Sequence, residues 1–292
     1  MAVRENGDIY VSTPVDKQNS GGGIIALQLG TGYNAVEVKH FGTAEGGTAI
    51  RFYENALYAA SASAIYRFTF ASSDALLPEK SPEIIVKELP ATHPGFNRAN
   101  VALAFDGKGD MFVALEGSAN ICTTIDTPKD APQVGLKPCP DLGIRAGVWR
   151  FNASKPGQKF PADGEQVATG IRDISALDWS SADGHLYGIM HGRDGTHNGW
   201  PDIVSTEGDD NIADEMHHIT IGTDLGWPYT YYDGVRKVRL ISPEYGGNGK
   251  TEAEADLYST PIVTFQFPRA APVNLVFYSG INSRRPTVAA RS

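Results

Sequence analysis

One short phrase recurs along this chain: a polar turn rich in Gly, Asp or Asn, followed by apolar, aromatic and apolar residues. It reads "NGDIYVS", "ENALYAAS", "KGDMFVALEGS" and "DGHLYGIMHG", and the strands after the turns begin at Ile9, Leu57, Met111 and Leu186, 48, 54 and 75 residues apart. The last interval is lengthened by a Pro-rich segment that carries both cysteines. Three of these turns follow a first strand ("TAIRFY", "VALAFD", "SALDWS"), and each unit continues into a further strand such as "SAIYRFTF" or "AGVWRFNA". Apolar and polar residues alternate in "AIYRFTF" and "GVWRFN" as in half-buried antiparallel strands. Asp106-Gly107 and Asp183-Gly184 are hairpin turns of the favoured type. A unit of three or four strands repeated about every 50 residues predicts an all-β chain and, within that class, a β-propeller. A β-sandwich would not repeat one turn-aromatic phrase at this spacing. No segment of ten or more residues carries a helical period.

Composition narrows the function classes. With 25 Lys+Arg against 34 Asp+Glu the net charge is -9, so no basic field exists to attract nucleic acid or an anionic membrane surface. No apolar run approaches the ~18 residues of a membrane span, and "AVRENGDIY" after Met1 has no signal-peptide layout. The 32 Gly and 18 Pro residues fit many short elements joined by turns. Cys122 and Cys139, 17 apart in "NICTTIDTPKDAPQVGLKPCPD", suggest a local disulfide within a loop insertion spanning 116–145. The alternative is two unpaired thiols in a cytosolic protein. A disulfide would place the protein in the periplasm or outside the cell.

In a propeller the functional groups come from loops at one end of the channel, one loop per blade. Of the loops after the second strands, "EGSANICTT" and "HGRDGTHNGWPD" are the richest. In "GIRDISALDW", Arg172 and Asp173 precede a first strand, where a guanidinium suits a carboxylate, a quinone oxygen or an oxyanion, or simply forms a surface pair. His191 leaves the strand "LYGIM" at the channel, and Gly192 permits close backbone approach. Backbone carbonyls there, with Asp194, suit a hard cation such as calcium; no compact His/Cys set suits zinc. In "ADEMHHITIGTDLGWPY", Asp214 and Glu215 open a strand on which His217 and His218 point to opposite faces.

These segments together, "GIRDISALDWSSADGHLYGIMHGRD" and then "ADEMHHITIGTDLGWPY", with "LAFDGKGDMFVALEGSANIC", "KPCPDLGIRAGVWRF" and "PEYGGNGK", resemble the glucose/sorbosone dehydrogenase family of soluble pyrroloquinoline quinone (PQQ) dependent sugar dehydrogenases. The resemblance implies a six-bladed propeller, about five blades of which this chain represents. It implies oxidation of a CH-OH group of a sugar, with PQQ and calcium as cofactors and a separate electron acceptor as partner. It sets Arg172 at the reactive quinone carbonyl, Asp173, His191 and Asp194 at the cofactor, and backbone oxygens of Gly192 and Arg193 on the calcium that bridges to it. Glu215 and the Leu225 backbone match a second, structural calcium.

Three departures accompany the resemblance. Arg98 of "GFNRANVALAF" stands where the family has its general base, a histidine, and Arg holds its proton near neutral pH. His93, five residues upstream, is the fallback base. Asp173 replaces an Asn, adding negative charge near an anionic cofactor. Finally, Met1 falls inside the first blade and "SGINSRRPTVAARS" ends where further blades are expected. The expectation is therefore a single propeller domain over 1–292 that is truncated at both ends, weakly stable or self-associating. Two other functions stay open: a silent calcium propeller that binds carbohydrate or protein, and a lactonase-like calcium hydrolase, for which Glu116, Asp194 and Glu215 are the available carboxylates.

Overall fold

The computed structural model describes residues 1–13, 23–30, 34–42, 46–90, 101–123, 133–265 and 270–277, apart from the side chains at 46–48 and 175. These residues form four antiparallel sheets of propeller type. The first blade holds β1 (Ala2–Val3), β2 (Ile9–Thr13), β3 (Gly23–Leu29) and β4 (Ala35–Phe41), in chain order across the sheet. The second holds β5 (Gly46–Tyr53), β6 (Ala56–Ser61), β7 (Ala64–Thr69) and β8 (Glu83–Lys87). The third runs β9 (Val101–Phe105), β10 (Asp110–Leu115), β11 (Gly147–Asn152) and, after the two-residue β12 (Gln158–Lys159), β13 (Glu165–Thr169). In the fourth, β14 (Ile174–Ser180), β15 (His185–Met190) and β16 (Asp214–Ile219) are followed by the short β17 (Thr223–Asp224), an inserted hairpin of β18 (Thr230–Asp233) and β19 (Val238–Ile241), and the fourth strand β20 (Val263–Phe265). The repeated phrase thus starts the second strand of every blade. The only α-helices among the described residues are single turns, α1 (Thr196–Gly199) and α2 (Thr206–Asp210).

Side-chain alternation explains why these strands pack as blades. On β10, Met111, Val113 and Leu115 lie in the core shared with the second blade, while Phe112 and Ala114 lie in the core shared with the fourth. On β6, Leu57 and Ala59 face the first blade, whereas Tyr58 and Ala60 face the third. A strand buried on both faces reads as a near-continuous apolar run, as "ALYAA" and "MFVAL" do within β6 and β10. Packing brings the first strands of the second, third and fourth blades side by side, β5 next to β9 and β9 next to β14.

Blade edges are covered by strands lent from the next blade. β12, from the β11–β13 connection, pairs in parallel with β8 (Gln158 with Val86), and β17 pairs in parallel with β13 (Ala168 with Thr223). These two-residue pairings occupy donors and acceptors that an open edge would offer to another chain.

Candidate functional site

Arg172 stands between the third and fourth blades because two loops converge on it. Its own backbone carbonyl accepts from Gly117 N, at 2.8 Å, in the loop leaving β10. Its Nε donates to Asn120 Oδ1 at 2.7 Å and its Nη2 to Asp194 Oδ2 at 2.6 Å. Asn120 also accepts from Asp194 N (3.0 Å) and donates to Asp194 O (2.5 Å), while its carbonyl accepts from the Trp227 indole at 3.0 Å. The result is a guanidinium only 15 % exposed, oriented by an amide and by a carboxylate that is 48 % exposed. Such a half-open pair adds at most about 1 kcal/mol to stability; its effect is orientation. Arg172, His191, Gly192, Arg193, Trp227 and Pro228 line one cleft.

The backbone at this cleft leaves no space for side chains. A Cβ on Gly192 would stand 2.6 Å from the Ala213 carbonyl oxygen, and Gly192 N donates to Asp214 Oδ1 at 2.8 Å. Asp214 Oδ2 accepts from Ala271 N, so one carboxylate ties the 192 loop to the segment 270–277 that crosses the fourth blade.

His191 and Asp173 meet at 3.2 Å, imidazole Nδ1 to carboxylate Oδ2, and His191 Nε2 meets the Pro272 carbonyl at 2.8 Å. Burial alone would lower the imidazole pKa, but the bonds to Asp173 and Pro272 and the charges of Asp173 and Asp214 outweigh it and hold it above its ordinary 6.5. Two acceptors on two ring nitrogens favour the imidazolium. The negative charge that Asp173 brings is therefore met by a hydrogen-bonded imidazole 3.2 Å away. Because the folded pKa is the higher, this stabilisation is complete below about pH 6.5 and is lost as pH rises through the raised folded value. Urea melts from about pH 5.5 to 8.5 are expected to show wild type losing more stability over that rise than His191→Gln; parallel pH profiles for the two would contradict the pairing.

Two buried ion pairs border the cleft through Arg193 and Glu215. Arg193 donates to both Glu244 carboxylate oxygens at 2.7 Å, with side chains 6 % and 2 % exposed, and Trp200 Nε1 donates to Glu244 Oε1 at 3.0 Å. Arg193 Nε is buried with no hydrogen-bond partner among the described residues. Glu215, fully buried, pairs with Arg239 Nη2 and with His217 Nε2 at 3.1 Å; His217 Nδ1 meets Ser259 Oγ at 2.9 Å. Burial would raise the Glu215 pKa, but Arg239 and His217 hold it below the ordinary carboxylate value. Glu215 thus has the Arg239 guanidinium as its charge partner, and Leu225 packs its side chain into the core between blades three and four. Among the described residues no group of three or more His, Cys, Asp and Glu side chains is arranged to hold a metal.

The disulfide expected from the spacing is formed: Cys122 and Cys139 are bonded, with Cα atoms 6.1 Å apart. The bridge is buried against Trp227 and Ala146, two residues beyond Asn120, so it anchors the loop that orients Arg172. By loop closure it is worth about 3 kcal/mol. Cys122→Ser/Cys139→Ser is expected to melt roughly 6–12 °C lower in calorimetry, a double variant as stable as wild type being the contrary result.

The structure thus gathers Arg172, His191, Gly192, Arg193 and Glu215 around one cleft, with Asp194 paired to Arg172 and Asp173 to His191. His93 and Arg98 lie outside the described residues. Asn120, Glu244 and Arg239 were not among the residues singled out from the sequence. Only Asn120 had a signal, since it sits in one of the two loops richest in special residues; Glu244 and Arg239 are 51 and 24 residues from their partners in sequence.

No protein-family model and no curated protein sequence matches the chain. Solved structures do. The PQQ domain of pyranose dehydrogenase from Coprinopsis cinerea, in its holo form, superposes with a TM-score of 0.68 at 13 % identity, covering 96 % of this chain and 67 % of that one. The chain has the fold of a β-propeller sugar dehydrogenase. A calcium structure of a carbohydrate-active enzyme of family AA12 from Trichoderma reesei gives 0.66 at 14 % identity, with 93 % and 68 % covered. The apo soluble aldose sugar dehydrogenase from Escherichia coli gives 0.51 at 14 % identity, with 85 % and 70 % covered. At such identities the likeness concerns the fold.

Proposed function

We propose that this chain is a quinoprotein sugar dehydrogenase, oxidising the CH-OH group of an aldose or sorbosone-like sugar with PQQ and calcium and passing electrons to a separate acceptor. The observation that carries this is Arg172: a guanidinium held at the cleft wall by Asn120 and Asp194, on the fold shared with the pyranose dehydrogenase domain. The residue types present suit such a group, while the cleft itself encloses about 20 Å³ and would have to open to admit it. A flat, anionic, oxygen-rich cofactor wants fixed cations, a planar wall and donors; the cleft offers Arg172, the His191 ring with its raised pKa, Trp227, and a buried Arg193 Nε without an acceptor among the described residues. Carbonyls of Gly192 and Arg193 would hold the calcium, and Asp173 and Asp194 would face the cofactor through His191 and Arg172.

PQQ, when bound, supplies the two-electron acceptor for the hydrogen on the sugar carbon. What the chain contributes is electrostatic: Arg172 presents a permanent charge where negative charge gathers on oxygen, and its orientation is set before the reaction by Asn120 and Asp194. Trp227 and Pro228 exclude water from that side of the cleft. For the proton of the sugar hydroxyl, His93 and Arg98 remain the family-position candidates, and only His93 can accept it near neutral pH. The same reading makes 1–292 one propeller domain with 116–145 as a loop inserted between β10 and β11, and sets the protein in the periplasm or outside the cell.

A hydrolase of lactonase type would need several carboxylates on one ion. Two of the three carboxylates that reading has are already paired, Asp194 with Arg172 and Glu215 with Arg239 and His217, which weighs against it. The deciding experiment adds PQQ and calcium to purified protein and follows dye reduction with a panel of aldoses. Cofactor-dependent reduction with at least one sugar is expected; the absence of both reduction and PQQ binding would dismiss the dehydrogenase reading.

A further inference from the structure

A second cleft lies back to back with the Arg172 cleft, across the turn Trp227–Thr230. Trp227 and Pro228 face the first cleft, Thr230 borders both, and Tyr229 faces the second. The second cleft has a volume of about 590 Å³, within the ~300–1,000 Å³ range of small-molecule sites. It is built where three insertions meet: Lys137 and Pro138 come from the cysteine loop, Ile241 from the β18–β19 hairpin, and Glu254, Leu257 and Tyr258 from the connection to β20.

Its walls are fixed tyrosines. Tyr229 and Tyr245 meet edge to face, ring centroids 4.8 Å apart. Tyr229 Oη accepts from Cys139 N at 3.0 Å, while Tyr245 Oη donates towards the carbonyls of Leu136 (3.2 Å) and Cys122 (3.4 Å). A Cβ on Gly135 would lie 2.2 Å from the Tyr245 ring, so this glycine lets the cysteine loop close onto the ring. Both rings are thus locked through the disulfide-bonded loop before any ligand arrives, and ordering costs are already met. Tyr258 completes the aromatic lining, half-buried.

The polar groups select the ligand. Lys137 and Glu254, both exposed, put one positive and one negative group at the cleft, with the Lys137 ammonium 5.7 Å from the Tyr229 ring centre. An anion would meet Glu254, a cation would meet Lys137, and a wholly apolar ligand would strip water from both. A neutral ring with apolar C–H faces and hydroxyl edges satisfies every wall at once. We infer that this cleft is a carbohydrate-binding site, separate from the Arg172 cleft, which takes a neutral pyranose ring or short oligosaccharide by stacking on Tyr229, Tyr245 and Tyr258 with hydroxyls bonded to Lys137 and Glu254. Nothing in it requires the dehydrogenase reading.

The test titrates cellotetraose, xylotetraose and chitotetraose into the full chain without PQQ, by calorimetry and saturation-transfer NMR. At least one is expected to bind; Tyr258→Ala is expected to weaken it about tenfold, and Arg172→Ala to leave it within about twofold. Should Tyr258→Ala melt far below wild type, Lys137→Ala/Glu254→Gln, confined to exposed side chains, carries the same reading through an expected loss of about fivefold or more. Absence of binding by all three glycans overturns the inference. So does binding that survives the cleft variants or is abolished by Arg172→Ala, which would put the sugar in the other cleft.

Discussion

Replacing Arg172 by Ala is expected to lower PQQ- and calcium-dependent sugar oxidation by about 10²–10³-fold while leaving the melting temperature within a few degrees of wild type. The split follows from the geometry. Arg172 Nη2 pairs with a carboxylate that is 48 % exposed, so its loss removes little stability, yet its guanidinium is 15 % exposed and aimed by two bonds that a substitute cannot reproduce. Arg172→Lys keeps the charge but not the fork, and is expected to recover only part of the rate. Asn120→Ala should share the defect to a lesser degree, since Asn120 orients both Arg172 and Asp194. Measuring kcat alongside PQQ affinity separates the roles: a fall in affinity with kcat intact would make Arg172 a binding residue, and unchanged values for both would remove it from the site.

Glu244→Ala is expected to be the most destabilising single substitution among those considered, by about 3–5 kcal/mol, or roughly 6–20 °C in melting temperature. Removing this carboxylate leaves Arg193 buried without its bidentate partner and takes the acceptor from Trp200 Nε1. Glu244 also acts through its backbone, whose carbonyl accepts from Gly135 N at 3.0 Å, so the strut joins the 192 loop to the cysteine loop. Arg193→Met/Glu244→Met, which removes both charges, is expected to regain much of the loss, because the penalty comes from an uncompensated charge rather than from the absence of attraction. A thermal melt of Glu244→Ala that matches wild type would show the pair to be relaxed or hydrated in solution.

How far the residues alone led differs between fold and site. The turn-aromatic phrase located the second strand of each blade, at Ile9, Leu57, Met111 and Leu186, inside β2, β6, β10 and β15. It did so because a strand buried on both faces leaves a continuous apolar signature and its hairpin turn a polar one, both purely local. Non-local pairings gave no such mark. The lent strands β12 and β17 are two residues long, and their partners lie 72 and 55 residues away, so no periodicity announces them. Glu215 shows the same limit: nothing in the spacing of the chain announces that Arg239, 24 residues on, is its ion-pair partner.

By itself, then, the sequence determined the all-β repeat and the two loops that carry Arg172, Asp173, His191 and Asp194, because strand period, turn chemistry and residue type are properties of neighbouring positions. Tertiary structure alone decided which charge meets which. It set Arg172 against Asp194 and Asn120, His191 against Asp173 and Pro272, Arg193 against Glu244, and Arg239 against Glu215. A buried charge must find an opposite partner within hydrogen-bond reach, and which one it finds depends on how blades and insertions stack, a distance in space that spacing along the chain does not encode.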